Sequence, residues 1–181
     1  MILRWRRTAA LVTVTVLLAA GSAGCVSFGP SEASAFDDPC AVEPSLPPQG
    51  VEPERVAIDH DDYLAEHVGR AADGRQFFLT RPFEPGGREF VALYLFTADG
   101  KFDEARIDPY DAGVFRSRLA ELGNVKYGRI SVAPFEVERF GITFGLISEA
   151  PEADGDIWWV TAEPGDYMAF STPWDCGLYD T

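Results

Sequence analysis

The chain has 181 residues, of which 15 are basic and 29 are acidic, and its net charge is therefore −14 at pH 7. A surface this acidic repels phosphate backbones, so the composition argues against nucleic acid as a partner and against direct contact with anionic lipid. The length and the hydrophobic content of 46% suit a single domain with a substantial core.

The first 25 residues have the layout of an export signal. Three arginines precede an uncharged apolar run, residues 8–20, which is short for a membrane span. Ser22-Ala23-Gly24-Cys25 then places small residues directly before a cysteine. This order resembles the signal peptide of bacterial lipoproteins, whose lipobox ends in small residues and an obligate cysteine. It departs from that family at Ser22, where an aliphatic residue is usual.

The resemblance implies a signal peptide over residues 1–24 and a lipidated, palmitate-bearing Cys25. The protein would then sit on the extracytoplasmic face of the cell membrane, with the membrane as its partner through the lipid anchor. Loss of the signal removes three arginines and no carboxylate, so the net charge falls from −14 to −17. Ordinary secretion and a retained signal anchor are the alternatives.

Residues 25–53 are predicted to be a tether that follows the lipidated cysteine. Six prolines lie among serine, alanine, glutamate and glycine with no helical or alternating apolar pattern. Prolines favour an extended, stiffened chain, so the segment holds the domain away from its anchor. Residues 54–181 are predicted to form one domain.

Cys40 and Cys176 are predicted to form a disulfide bond. With Cys25 assigned to lipid, these two remain, and an exported protein meets an oxidising environment. The bond would close a loop of over 100 residues, for which chain entropy suggests about 4 to 5 kcal/mol of stabilisation. The alternative is two free buried thiols. A metal site is not predicted, because no third cysteine or nearby histidine completes a ligand set.

The domain is predicted to begin with a helix and to continue with strands. Within residues 56–72, a short apolar stretch precedes a helix that Asp59 or Asp61 would cap and that Asp73-Gly74 would end. Residues 76–80 are predicted as a strand. The unbroken apolar run 90–96 predicts a strand covered on both faces.

The next elements are predicted to be a hairpin, a helix and four further strands. Asp99-Gly100 suits a tight turn that returns the chain over 102–107. Asp108-Pro109 would start a helix that ends at Gly123 and carries Phe115, Leu119 and Leu122 on one face. The later strands are predicted at 129–137, 140–147, 157–162 and 167–170.

The strand predicted at 140–147 alternates large apolar residues with small ones. Phe140, Ile142, Phe144 and Leu146 share one face, and Gly141 and Gly145 lie on the other. Glycine within a strand indicates close approach of another backbone, a bulge or a ligand.

The predicted fold class is therefore α+β. Six or seven strands would form a mainly antiparallel, curved sheet, arranged as a sandwich or a partly open barrel, with about two helices. No repeat of 20 to 50 residues is evident, which excludes propellers and solenoids.

No catalytic residue, metal or cofactor is predicted. Common hydrolase motifs and glycine-rich phosphate loops are absent from the sequence. His60 and His67 lie seven apart, which would put them on one helical face, but helical metal pairs usually stand at i and i+4. The favoured interpretation is a solvated acidic helix rather than a loose metal site.

Residues 152–156 superficially match the oxygen-rich spacing of a calcium loop. The bidentate glutamate of such a loop is missing downstream, and the Asp154-Gly155 pair is explained as a turn between strands. No carboxylate pair is nominated as an acid and base for sugar hydrolysis.

A candidate ligand patch is predicted at the carboxyl end, on Trp174, Asp175, Tyr179 and Asp180. Aromatic rings beside carboxylates suit a sugar, a peptide or a cationic group. The alternative is that Trp174 closes the core while the aspartates cap turns. Trp158 and Trp159 leave the same two alternatives, a ligand-binding ring or a core-packing ring. Neighbouring strand residues face opposite ways, so at least one of the two rings could face outward.

Segments 73–80 and 165–180 resemble uncharacterised bacterial proteins, a likeness that implies no activity. The predicted function is a ligand- or protein-binding module at the cell envelope. One alternative is an envelope hydrolase that uses carboxylates as acid and base. Another is an inhibitor or immunity-type lipoprotein that meets a basic partner with its acidic surface.

Overall fold

The computed structural model describes residues 51–153 and 156–181, which all belong to one compact unit. Within these residues the chain forms one helix and eleven strands. In chain order they are β1 (Val56–Ile58), β2 (Val68–Arg70), β3 (Gln76–Thr80), β4 (Phe90–Phe96), β5 (Phe102–Pro109), α1 (Ala112–Glu121), β6 (Lys126–Tyr127), β7 (Ile130–Val132), β8 (Phe135–Arg139), β9 (Ile142–Glu149), β10 (Trp159–Glu163) and β11 (Ala169–Phe170).

The strands pair antiparallel and form three open sheets. The largest has the order β5-β4-β3-β2-β6, the second has the order β11-β10-β9-β8, and β1 pairs with β7. Mainly antiparallel sheets with one helix, rather than about two, make the fold α+β or mainly β, so the predicted class is confirmed in part. The strands number eleven rather than six or seven because several of them are only two or three residues long.

Strand β4 is the centre of the core. Its residues Phe90, Ala92, Tyr94 and Phe96 pack in a cluster that also takes residues from the four-stranded sheet and from β1 and β7. The residues between them, Val91, Leu93 and Leu95, pack in a second cluster with Phe115 and Leu119 of α1. The prediction that 90–96 is covered on both faces is confirmed.

The predicted β4–β5 hairpin is confirmed. Strand β5 runs back along β4 with Ala92 opposite Ile107. At the turn, Gly100 has φ of 81° and its N–H donates to the Thr97 carbonyl over 2.9 Å. A residue with a Cβ would be strained at this φ, so the glycine of Asp99-Gly100 sets the turn.

Helix α1 ends as predicted and begins three residues later than predicted. Gly123 has φ of 69°, the left-handed conformation expected just after a helix. Asp108 and Pro109 belong to β5 instead of starting the helix. The N-cap is Asp111, whose carboxylate accepts hydrogen bonds from the N–H groups of Gly113 and Val114 at 2.7 and 3.1 Å.

The helix predicted within 56–72 is wrong. Residues 56–58 form β1, residues 64–67 form a turn, and 68–70 form β2. The Asp61 carboxylate accepts hydrogen bonds from the N–H groups of Tyr63 and Ala65 at 2.8 and 2.9 Å. Such local bonds compete with helical ones, and they fix the chain as a turn here.

The later strands follow the predicted order with shifted bounds. The strand predicted at 129–137 is divided into β7 and β8 around Pro134, and residues 140 and 141 form the turn between β8 and β9. Phe140 and Gly141 have φ of 57° and 76°, the pattern of a two-residue hairpin turn. Placing Phe140 in the strand was therefore wrong, whereas Ile142, Phe144 and Leu146 do share the core side of β9.

Gly145 within β9 is explained by close approach of a backbone. A Cβ built on it would lie 2.1 Å from the Phe135 carbonyl oxygen of β8. This confirms one of the explanations expected for a strand glycine.

Several predictions fall outside the described residues: the signal peptide, Cys25, Cys40 and most of the tether. Cys176 is buried and its sulfur is not a free thiol. Because Cys40 is not described, its pairing with Cys176 stays a prediction. Over the residues that the structure covers, no helix is long and apolar enough to cross a membrane.

Candidate functional site

The predicted carboxyl-terminal patch is divided between the core and the surface. Trp174 and Tyr179 are half-buried and pack against the main core cluster. The Tyr179 hydroxyl donates to the Asp61 carboxylate, so its polar end is already engaged. Asp175 is exposed, and Asp180 bonds to Ala169 through its backbone. Tyr179 and Asp180 line a shared hollow that does not include Trp174 or Asp175.

The tryptophan pair lies beside a gap in the described chain. Trp158 and Trp159 are both half-buried, and Trp159 lines an open hollow with Glu149 and Asp156. Asp154 and Gly155 lie outside the described residues, so the calcium interpretation of 152–156 has no geometry to test it.

The two histidines both contact the ring of Tyr127. The ring of Tyr127 is 5.3 Å from that of His60 and 5.9 Å from that of His67, measured between centroids. His67 also contacts the Phe115 ring at 5.2 Å. Across residues 51–153 and 156–181, no group of three or more metal-ligating side chains is close enough to hold an ion.

His67 opens onto a cavity of about 290 Å³ between residues 61–67, which precede β2, the end of β3 and helix α1. Its aromatic lining is Tyr63, His67, Phe83 and Phe115, and its charged lining is Glu66, Arg81 and Glu89. The hydrogen bonds to Asp61 fix the backbone of this segment, and the backbone determines where Tyr63 and His67 lie. Phe115 stands on the face of α1 that packs on the sheet.

A second cavity of about 360 Å³ lies next to the first, and Glu89 lines both. Its other lining residues include Tyr110, just before α1, and Phe140, in the β8–β9 turn. The Tyr110 N–H donates to the Glu89 carbonyl over 2.9 Å, which ties the two segments together. We call the two cavities together the aromatic groove.

Exposed aromatic rings are concentrated at the aromatic groove. Seven large apolar side chains are exposed in the described part of the chain. Four of them line the groove, Tyr63, Phe83, Tyr110 and Phe140, and a fifth, Tyr127, contacts His67. Exposed rings gathered at one concave surface mark a binding site more often than single exposed residues do.

The environment of His67 favours its neutral form. Burial lowers the pKa of its imidazole below the ordinary value of 6.5; Glu66 acts to raise it, and His60 and Arg81 add to the lowering. The Glu66 carboxylate lies 3.8 Å from Nε2, while Nδ1 is buried without a hydrogen-bond partner among the described residues. A neutral imidazole has one donor and one acceptor nitrogen, and with Nδ1 buried only Nε2 is available outside the core.

Arginines lie over three rings at the groove. The guanidinium carbon of Arg81 is 5.8 Å from the Tyr110 ring centroid, that of Arg88 is 5.5 Å from Phe90, and that of Arg139 is 5.0 Å from Phe140. The Phe90 and Phe140 rings stack at 5.8 Å with an interplanar angle of 16°. Cation–π contact holds each guanidinium beside the groove.

Sequence reasoning placed the candidate patch at the carboxyl end and missed the aromatic groove. Tyr63, Phe83 and Tyr110 lie outside the named strands and the helix, and the patterns that include Phe115 and Phe140 predicted packing positions rather than a groove. A usable signal was the presence of large aromatic residues outside any predicted strand, at positions 83 and 127. No family model, curated protein or solved structure matches the chain.

Proposed function

We propose that the protein is a lipid-anchored, extracytoplasmic binding module whose ligand occupies the aromatic groove. The observation that carries this proposal is the gathering of four of the seven exposed large apolar side chains of the described residues in the aromatic groove, with a fifth, Tyr127, in contact with His67. Leaving aromatic area exposed to water costs free energy unless a ligand covers it. The anchor part of the proposal rests on the order of residues 1–25.

Binding is better supported than catalysis. The two carboxylates of the groove, Glu66 and Glu89, are both exposed, and neither hydrogen-bonds to another titratable side chain in the described residues. An acid and base pair for sugar hydrolysis needs contrasting environments for its two carboxyl groups. The groove instead offers ring faces and fixed charges, which suit recognition.

We also propose that the finer architecture is a sandwich rather than a partly open barrel. Support comes from the main core cluster, which joins β4 of the five-stranded sheet to β9 and β10 of the four-stranded sheet. The opposite side of β4 packs on α1. Rings carried on short turns of two packed sheets are held rigidly, which lowers the entropy lost on binding.

The anchor is tested by the intact mass of the membrane-extracted protein, measured before and after reduction. We expect loss of residues 1–24, an added diacylglyceryl group on Cys25 and a deficit of two protons that reduction removes. The two-proton deficit reports the Cys40–Cys176 bond. A soluble, unlipidated species would overturn the anchor while leaving the groove to be tested separately.

The groove is tested by co-sedimentation of the full chain, in detergent, with purified bacterial cell walls. We expect the wild type to sediment with the walls, and Tyr110→Ala/Phe140→Ala to lose at least tenfold in affinity. Val51→Ala, a change at a more exposed apolar side chain away from the groove, should bind normally. Equal binding by all variants, or none by any, would overturn the proposal.

The carboxyl-terminal patch has its own control. Leu178 is exposed beside Tyr179 and Asp180, so Leu178→Ala changes that surface without touching the core. Loss of binding by Leu178→Ala together with normal binding by Tyr110→Ala/Phe140→Ala would move the site to the patch predicted from the sequence.

A further inference from the structure

The first cavity of the aromatic groove carries more negative than positive charge. Its charged lining consists of the carboxylates of Glu66 and Glu89 and the guanidinium group of Arg81. Both carboxylates are exposed, and within residues 51–153 and 156–181 neither lies at ion-pair distance from a lysine or an arginine. The imidazole of His67 lies 3.8 Å from Glu66, but burial lowers its pKa below 6.5 and favours its neutral form. The cavity therefore has negative charge available for a cationic ligand.

Each of the two carboxylates belongs to a segment that also brings an exposed aromatic ring to the cavity. Phe83 and Glu89 stand opposite each other in an isolated antiparallel bridge. Side chains in such a pair lie on the same side, with Cβ atoms about 5 Å apart. Tyr63 precedes Glu66 by three positions, and both line the same cavity. Two segments thus contribute one ring and one carboxylate each.

The rings of Tyr63 and Phe83 are accessible to a ligand. Tyr63 is 67% exposed and Phe83 is 40% exposed. The arginine–ring contacts of the described chain lie elsewhere, on Phe90, Tyr110 and Phe140. An organic cation is attracted both by ring faces and by carboxylates, whereas a hard metal ion takes oxygen ligands and has no use for rings. The lining therefore favours an organic cation.

Part of the cavity lining is apolar and withdrawn from solvent. Leu79 is buried, and Leu64 and Phe115 are half-buried. A lysine side chain packs its methylene stem on a surface of this kind while its charged head stays at the polar edge. Ligand pockets usually measure about 300 to 1,000 Å³, so this cavity of about 290 Å³ suits a single side chain of a ligand.

We infer that the aromatic groove binds a basic peptide and takes one lysine-type side chain into the first cavity. This inference rests on the proposed function and names its ligand class. The ammonium group meets Glu66 and Glu89, and the stem packs on Leu64 and Leu79. The carbonyl oxygens of the peptide accept hydrogen bonds from Arg81, which would repel a ligand made of ammonium groups alone.

Other charged ligands match the cavity less well. An amino sugar has its ammonium group directly on the sugar ring, so it brings no methylene stem for the apolar lining. A polyamine has stems and ammonium groups but no acceptor for Arg81. An acidic ligand would meet two carboxylates and one guanidinium group, so repulsion would exceed attraction. A basic peptide supplies the cation, the stem and the acceptor together.

The test titrates the full chain, in detergent, with three probes and follows the amide signals of the protein by NMR. The first probe is the tripeptide Ala-Lys-Ala with both ends blocked, the second is the same peptide acetylated on the lysine nitrogen, and the third is a glucosamine disaccharide. Acetylation removes the charge and keeps the stem. We expect the lysine peptide to bind at least tenfold more tightly than either of the others, and its affinity to fall as salt rises.

Two double variants of equal charge locate the site. Glu66→Gln/Glu89→Gln should weaken binding of the lysine peptide at least tenfold, because both carboxylate contacts are lost. Glu52→Gln/Glu136→Gln removes two exposed carboxylates that line neither cavity and changes the net charge by the same amount. This second variant should bind normally.

The ring contact has its own pair of variants. Tyr63→Ala should weaken binding of the lysine peptide about threefold, and Tyr63→Phe, which keeps the ring, should bind normally. Far-ultraviolet circular dichroism that matches the wild type establishes that each variant is folded. Equal binding by both variants would overturn the ring contact.

The outcomes separate this inference from the proposed function. Equal binding of the acetylated peptide would overturn the ammonium site, and equal or tighter binding of glucosamine would overturn the peptide. Equal losses in the two double variants would show that only net charge acts and would overturn the cavity as the cation site. No binding of the lysine peptide would overturn the inference alone, because co-sedimentation with cell walls decides whether the groove binds an envelope ligand at all.

Discussion

The Tyr179 hydroxyl donates a hydrogen bond to the Asp61 carboxylate, across 118 positions of sequence. The same carboxylate accepts from the N–H groups of Tyr63 and Ala65. One aspartate thus fixes the turn that carries Tyr63 and His67 and fastens it to the carboxyl-terminal segment.

Removing the Tyr179 hydroxyl should destabilise the domain. Tyr179→Phe removes one of the three hydrogen bonds that the half-buried Asp61 carboxylate accepts, and hydrogen bonds to charged groups contribute about 1.5 to 3 kcal/mol. We expect the free energy of unfolding, measured in urea, to fall by an amount at the lower end of that range. Tyr63→Phe removes an exposed hydroxyl and should change stability by less than about 0.5 kcal/mol. Equal effects of both changes would contradict the assigned role.

Acid should abolish the contribution of Asp61. Burial acts to raise the pKa of this carboxyl, but the hydrogen bonds from Tyr179, Tyr63 and Ala65 outweigh it, and the pKa lies below the ordinary 3.8. A carboxyl with a lowered pKa stabilises the fold above its unfolded pKa, and this stabilisation is lost as the pH falls through the folded pKa. The stability difference between wild type and Asp61→Asn should therefore be constant from pH 5 to 7 and shrink below about pH 4. A difference that persists at pH 2 would show that the charge is not involved.

His67 should titrate below 6.5. Its lowered pKa means that the neutral form stabilises the fold at neutral pH and that this stabilisation is lost as the pH falls through the folded pKa. Proton–nitrogen NMR of the imidazole gives the midpoint directly. Glu66→Gln removes the carboxylate that acts to raise this pKa, so the midpoint should fall further. A rise in the variant would show that Glu66 does not act on His67 through charge.

Gly145→Ala should be far more costly than Gly141→Ala in the same hairpin. A Cβ at Gly145 would meet the Phe135 carbonyl oxygen at 2.1 Å, so β8 and β9 must separate. At Gly141 a Cβ meets no atom within 4 Å in the described chain, and only the left-handed backbone opposes it. In thermal unfolding, the free energy of unfolding should fall by more than about 3 kcal/mol for Gly145→Ala and by about 1 to 2 kcal/mol for Gly141→Ala.

The central layers of the fold were predictable because their signals are local. The apolar run of β4, the glycine at position 100 and the apolar stripe of α1 each occupy one short stretch of sequence. The first predicted helix failed because Asp61 bonds to its own turn and to Tyr179, and the second of these partners is distant in sequence.

The aromatic groove was not predictable from local patterns. Phe83, Tyr110 and Phe140 come from three separate segments outside the named strands and the helix, and the folded structure brings them to one surface. The pairing of β2 with β6, which places Tyr127 beside His67, joins segments about sixty residues apart and has no signal in either segment. Long-range pairing of this kind requires the folded structure.

The carboxyl-terminal segment lies directly against the first strand. The carbonyls of Trp174 and Gly177 accept hydrogen bonds from the N–H groups of Ala57 and Asp59 at 2.8 and 2.9 Å. Neighbouring ends make the domain a candidate for circular permutation: a short glycine-serine linker from Thr181 to the residues before β1 would allow new termini between Asp73 and Gly74, at an exposed turn. Such a permutant would have its chain ends at the β2–β3 turn rather than beside β1.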